Sequence, residues 1–283
     1  MFIPYSQTIE NPGEKPDKWI VFLHGIYGSG SNWRAVARKL CAKRPDWGVV
    51  LADLRMHGKS QDAPSPHSLR SCAEDIYRLI DARDAQGMRI DAVLGHSFGG
   101  KVALDMKRLH QTGQHSKKLT TWTVDSSPAG SRIALEEDSN IVIQVLRILR
   151  EISRDFSSRS EFVAEFSSRG VPVPIAQWLG MNLEARGDGY HNRLDHEVMT
   201  ALLLDYYQQD LWSVLASGGS PANEHPTHLA IASRMSAIAA EDQERLANMS
   251  GQNGLTIHRV EGGHWLHVDA ADVLVDLIAK SLT

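Results

Sequence analysis

Six short apolar runs punctuate this chain, at residues 19–23, 49–52, 92–94, 121–124, 228–232 and 255–260. Runs this short that are buried on both faces are what parallel strands look like, because helices cover both sides of such a sheet. Between most of the runs lie segments with helical spacing. Residues 31–43 place Trp33, Val36, Ala37 and Leu40 on one face, and residues 71–84 place Ile76, Leu79 and Ile80. Residues 100–110 do the same with Val102, Ala103, Met106 and Leu109, and residues 270–282 with Leu274, Leu277 and Ile278. Strand and helix alternate, so the predicted class is α/β, with a mostly parallel central sheet flanked by helices.

The alternation stops between about Gly130 and Gly219. Ile141, Val145, Leu149 and Ile152 make one apolar stripe, and Phe162, Val163 and Phe166 mark a short helix. Further helices are predicted over 175–183 and 196–215, the latter with Leu202, Leu203, Tyr206 and Leu211 inward. No stretch here reads as a strand. Pro172, Pro174, Gly187 and Gly189 punctuate the set. Some 90 helical residues between two sheet strands read as a cap over one sheet edge, set against the alternative of a separate helical domain. The expected organisation is a core of residues 1–130 and 220–283, with a helical cap at 131–219 inserted between sheet strands. The aromatic residues Trp178, Tyr190, Tyr206, Tyr207 and Trp212 are expected mostly in the cap's own core, with one or two facing a pocket.

Composition narrows the function. The 283 residues carry a net charge of −4 and no basic block, which argues against a nucleic-acid partner. Cys41 and Cys72 lack metal-ligand spacing and read as free core thiols. No apolar run approaches the roughly 18 residues of a membrane span. Residues 1–18 resemble neither a signal peptide nor a transit peptide. The expected location is cytoplasmic, or an organelle stroma after removal of a transit peptide, and the expected state is a monomer or homodimer.

Residues 95–99 read Gly-His-Ser-Phe-Gly, directly after one apolar run and directly before a helical pattern. In that setting a sharp turn lifts Ser97 clear of the sheet edge, and glycines at 95 and 99 remove the Cβ atoms that would clash. A serine hydroxyl needs a base within hydrogen-bond reach, and the base needs a partner to orient it. The best of the 13 histidines is His264, in Glu261-Gly262-Gly263-His264, which leaves the last strand at the same carboxyl edge. His267 is the fallback. A second glycine-rich loop, His24-Gly25-Ile26-Tyr27-Gly28-Ser29-Gly30, follows the first strong strand. It lacks the Gly-Lys-Ser/Thr ending and the spacing of phosphate-binding loops.

Taken together, His24-Gly25, residues 53–60 (Asp-Leu-Arg-Met-His-Gly-Lys-Ser), residues 95–100 and Gly263-His264-Trp265 resemble the α/β-hydrolase superfamily, in its order and at its intervals. The Gly-His-Ser-Phe-Gly-Gly-Lys and Gly-His-Trp-Leu-His segments are similar to a narrower group of small carboxylesterases and thioesterases. The resemblance implies a Ser–His–acid triad, hydrolysis through an acyl-enzyme, and no metal or organic cofactor. It implies an oxyanion hole from the N–H after the nucleophile, at Phe98, and one from the early loop, at Ile26 with Tyr27 as second choice. The acid departs from the common pattern. The loop after the penultimate strand, residues 233–238, holds no carboxylate. The resemblance to the narrower esterase group, whose acid comes from an Asp-x-x-Pro turn, implies Asp125, in the Asp-Ser-Ser-Pro turn one strand earlier, with Glu241 and Asp242 as backups. An Asp at that place also caps turns through its backbone. Asp53 and His57 read as pins for the loop beside the oxyanion hole. The implied substrate is a small to medium acyl ester or thioester. The alternatives are carbon–carbon bond hydrolysis and a hydrolase-like receptor with slow turnover.

Overall fold

The structure is a computed structural model that describes residues 1–130, 140–216 and 226–283. The chain begins with β1 (Ser6–Ile9), β2 (Lys18–Leu23), α1 (Arg34–Lys43), β3 (Trp47–Ala52), α2 (Leu69–Asp84), β4 (Ile90–His96), α3 (Phe98–Gln111) and β5 (Thr120–Val124). It continues through α4 (Ile141–Glu151), β6 (Asp155–Phe156), α5 (Arg159–Ser168), α6 (Val173–Leu179), β7 (Leu183–Arg186), β8 (Gly189–Asn192), α7 (His196–Gln208) and α8 (Trp212–Ala216). It then returns with β9 (Thr227–Ala232), α9 (Ala240–Met249), β10 (Leu255–Val260), α10 (Leu266–Asp269) and α11 (Ala271–Ser281).

Seven strands form one sheet in the order β1-β3-β2-β4-β5-β9-β10. All neighbours run parallel except β1, which lies antiparallel on β3 at the edge. Successive side chains of a strand face opposite sides. Val21, Leu23, Val50 and Val93 therefore pack with α2 and α3 on one side. Ile20, Phe22, Val49 and Leu51 pack with α1 and α11 on the other. Burying each such Val, Leu or Ile is worth about 1.5–3 kcal/mol, and both faces are filled in this way. The first face also receives Val145, Leu149, Phe162 and Leu202 from the segment between β5 and β9.

All six apolar runs are strands, as the sequence predicts. Three details differ. β1 adds an antiparallel edge strand that the apolar pattern does not announce. The segment expected to lack strands holds a three-stranded antiparallel sheet in the order β6-β8-β7. The helix predicted over 196–215 is two helices. It breaks because the Leu211 N–H is given to the Pro128 carbonyl at 2.8 Å, while the Asp210 carboxylate receives the Trp212 N–H at 3.0 Å and starts α8. The buried Lys101 ammonium bridges the Tyr206 and Ala129 carbonyls at 2.7 Å each, tying the end of α7 to the chain after β5. The predicted boundaries at 131 and 219–220 lie outside the described residues. Cys41 and Cys72 are free and buried. Among the described residues, no helix is long and apolar enough to cross a membrane.

Candidate active site

Ser97 stands between β4 and α3 with φ 51° and ψ −118°, a conformation that costs about 1–3 kcal/mol for a residue with a Cβ. The turn is held by the Ser97 N–H on the Val124 carbonyl at 3.0 Å and by the Ser126 hydroxyl on the Ser97 carbonyl at 2.7 Å. The flanking glycines are a steric requirement. A Cβ at Gly95 would lie 2.0 Å from the Gly99 carbonyl oxygen, and one at Gly99 would lie 2.5 Å from the His24 carbonyl oxygen.

Asp125 ends β5 with its carboxylate fully buried. Oδ2 accepts from His264 Nδ1 at 2.7 Å and from the Ala237 N–H at 2.9 Å. Oδ1 accepts from the Ser236 hydroxyl at 2.6 Å and from the Ala232 N–H at 3.0 Å. Burial works to raise its pKa, but the hydrogen bonds and charge of His264, with Ser236 and the Ala232 amide, outweigh it and hold the carboxyl below its ordinary value. The loop that lacks a carboxylate thus serves as the donor cradle for the acid of the neighbouring strand. Glu241 and Asp242 lie on α9, where Asp242 accepts from Ser127 at 3.5 Å. Among the described residues neither is bonded to His264.

His264 has its Nδ1 on Asp125, which leaves Nε2 as its other ring nitrogen. Its backbone carbonyl accepts from His96 Nε2 at 2.8 Å. Burial, with His264 and His267 close by, pushes the His96 imidazole well below its usual pKa, so it serves as a neutral donor. His267 packs its ring 4.9 Å from Trp33, and its Nδ1 is buried without a partner. Of the two candidate histidines, His264 is the one joined to a carboxylate.

The early glycine loop is fixed from below. The Tyr27 N–H donates to His57 Nε2 at 3.2 Å, and His57 Nδ1 donates to the Arg55 carbonyl at 2.9 Å. Asp53 accepts from the Gly30 N–H at 2.7 Å and from the Lys59 N–H at 2.8 Å. His24 accepts the Leu54 N–H on Nε2 at 2.9 Å. Burial lowers the His24 pKa to about 4. Burial, reinforced by the neighbouring His24, lowers that of His57 to about 3. Asp53 and His57 are therefore loop pins, as the sequence suggests. The Tyr27 N–H is already engaged, whereas the Ile26 N–H has no acceptor among the described residues. The Phe98 N–H opens α3, where no preceding helical carbonyl is available to it.

Ser97 and His264 line one cavity of about 330 Å³. No hydrogen bond joins them among the described residues. Gly25, Ile26, Trp33, His96, His267 and Trp265 line the same space from the core. Ile141, Val142, Val145, Pro174, Ile175 and Trp178 line it from the segment between β5 and β9. Of the five aromatic residues expected in that segment, only Trp178 lines the cavity, while Tyr206 packs on Phe98 with ring centroids 5.7 Å apart. Sequence reasoning missed His96 and Ser236 as positioning groups. His96 sits inside the serine motif, which was a signal. Nothing in the order Ser-Arg-Met-Ser-Ala-Ile announces a donor cradle.

The fold and this arrangement at the strand ends define a class, and comparison with known proteins gives the same one. The alpha/beta hydrolase family profile matches residues 20–277, and the chain belongs to that family. It is 26% identical over 266 residues to the sn-1-specific diacylglycerol lipase ABHD11 of Danio rerio, covering 93% of this chain and 77% of that protein. It is 37% identical over 90 residues to a probable alcohol acetyltransferase of Saccharomyces cerevisiae, covering 32% of this chain and only 26% of that protein. The solved structure of a marine microorganism esterase superposes with a TM-score of 0.77 at 20% identity, over 100% of both chains.

Proposed function

We propose that this protein is a serine hydrolase that cleaves carboxylic ester or thioester bonds of small to medium acyl substrates through an acyl-enzyme. The observation that carries this reading is the 2.7 Å bond from His264 Nδ1 to the buried Asp125, beside a cavity that Ser97 also lines. With Nδ1 so held, His264 Nε2 takes the Ser97 proton as Oγ attacks the acyl carbonyl. Asp125 steadies the imidazolium that forms. The Ile26 and Phe98 N–H groups receive the oxyanion, each worth on the order of 3 kcal/mol in the transition state. The leaving alcohol or thiol takes the proton from His264, and water then repeats the sequence to release the acid.

The described residues between β5 and β9 serve as the cap, and Ile141, Val142, Val145, Ile175 and Trp178 form the acyl wall. The cavity volume, at the lower end of the roughly 300–1,000 Å³ range of small-molecule sites, favours short and medium acyl groups. The names of a lipase among the relatives and an esterase among the solved structures agree with an ester substrate. The test is Ser97→Ala with p-nitrophenyl acetate. The variant should keep the wild-type melting temperature and lose turnover by roughly 10,000-fold or more. Wild-type rates in the folded variant would remove Ser97 from the chemistry.

A further inference from the structure

A second cavity, of about 400 Å³, lies between residues 58–61 of the core and the antiparallel sheet of β6, β7 and β8. It shares no lining residue with the cavity of Ser97. Its polar and charged walls include Lys59, Arg154, Glu184, Arg186, His191 and Arg193. Many surface cations of this chain are neutralised, such as Lys39 by Asp272, Lys117 by Asp84 and Arg169 by Glu165. Of the lining residues, Arg154 meets Asp195 at 2.9 Å, Arg186 meets Glu184 at 3.5 Å and His191 meets Asp155 at 2.7 Å. Lys59 and Arg193 are different. The Lys59 ammonium lies over the Tyr5 ring at 4.7 Å and reaches its hydroxyl at 3.5 Å. Arg193 Nε donates to the Asn182 carbonyl at 3.3 Å. Neither meets a carboxylate among the described residues. A chain of net charge −4 thus keeps, among the described residues, cations without a carboxylate partner in a concave place.

We propose that this cleft is a binding site for a small polyanion bearing phosphate groups, distinct from the site of ester cleavage. The lining carries four cations against the one carboxylate of Glu184, and an excess of one sign in a concave place draws a counter-ion. Guanidinium groups offer planar forks of N–H donors that match phosphate oxygens two at a time, and Lys59 adds a point charge. Arg186 spends a single long contact on Glu184 and keeps donors in hand. The volume exceeds that of one ion, which favours a diphosphate or a phosphorylated nucleoside or sugar over a lone carboxylate. The phosphate could arrive as a separate ligand or on the leaving group of the substrate. The two share one recognition chemistry.

Calorimetric titration with sodium pyrophosphate at low salt tests the site without any turnover, so its outcome is independent of the role of Ser97. The wild-type protein should bind, and more weakly as sodium chloride is raised. Exposed Lys59→Glu should weaken binding by about tenfold or more while leaving p-nitrophenyl acetate hydrolysis unchanged. Lys59→Gln/Arg193→Gln should weaken it further. Absence of binding up to roughly 10 mM pyrophosphate, well beyond the affinity expected of paired guanidinium contacts, overturns the proposal. So does equal binding by wild type and both variants. Two substrates distinguish the sources. If Lys59→Glu raises KM for an acyl-coenzyme A but not for the matching N-acetylcysteamine thioester, the phosphate is substrate-borne. If it weakens pyrophosphate binding and leaves both KM values alone, the ligand is a separate one.

Discussion

The sheet edge that carries Ser97, Asp125 and His264 and the segment that faces it across the cavity are built on different principles. At the edge the Asp125 carboxylate, the His264 ring and the Ser97 backbone are fixed by direction. Asp125 receives four hydrogen bonds, His264 is held at both its ring and its carbonyl, and Ser97 sits in a backbone conformation that its neighbours enforce. Across the cavity, Ile141, Val142, Val145, Ile175 and Trp178 offer shape and apolar surface with no directional demand. Displacing a directed atom breaks a hydrogen bond and leaves a buried group unpaired. Exchanging an apolar wall residue changes volume and contact area by degrees. Chemistry should therefore fail abruptly on one side, and selectivity drift gradually on the other.

The widest gap between the two sides should come from the acid. Asp125→Asn should lower kcat by roughly 10,000-fold, because the amide no longer favours the required His264 tautomer. Asp242→Asn should leave kcat within about twofold, as expected of a surface change away from the reacting groups. Steady-state kinetics on one ester decides between them, and the reverse result moves the acid to α9. A smaller effect is expected from the facing wall. Trp178→Ala should shift the preferred acyl length and change kcat/KM for longer esters by roughly 10–200-fold, with little change for acetate. A comparable loss on every chain length would mean that the segment, too, holds reacting groups in place.

The smallest effect concerns stability and belongs to the loop pins. His24 and His57 are buried as neutral acceptors, with pKa values of about 4 and about 3. Both lie below the unfolded value near 6.5, so the unfolded chain binds protons first as pH falls. Their contribution should be intact above about pH 6.5 and be lost progressively towards pH 4, with a slope of at most about 1.4 kcal/mol per pH unit for each histidine. Asp125 has the depressed carboxyl, so its contribution is present above about pH 3.9 and lost as pH falls through its folded value. Melting curves between pH 7 and pH 4.5 should slope downward, with a shallower slope in His57→Gln. An unchanged slope would remove His57 as a source of the acid sensitivity.

The same contrast explains what the sequence reveals. The turn at Ser97 and the pairing of His264 with Asp125 are legible because their geometry demands glycines, a turn and a strand end, and those demands leave residue types at fixed intervals. The seven-stranded sheet is legible for a related reason, since strands such as β3 are apolar on both faces. β1 escapes because Ser6-Gln7-Thr8-Ile9 is a half-buried edge strand with one strongly apolar residue. β7 and β8 escape because Leu183-Glu184-Ala185-Arg186 and Gly189-Tyr190-His191-Asn192 are short and polar. The signal that could have found them is Gly187-Asp188, a two-residue turn between residues paired as Arg186 and Gly189, with Gly187 at φ 56°. The donors to Asp125 from 236 and 237 lie 111 and 112 residues away along the chain. No local pattern encodes that meeting.

The proposed convergence of His264 and Asp125 on the Ser97 hydroxyl is tested most directly by locating the adduct of a serine-directed phosphonate probe by mass spectrometry. The expected result is a single adduct on Ser97 in the wild-type protein, formed far more slowly in a folded His264→Ala variant. An adduct on another serine, or labelling of Ser97 at the same rate without His264, would contradict it.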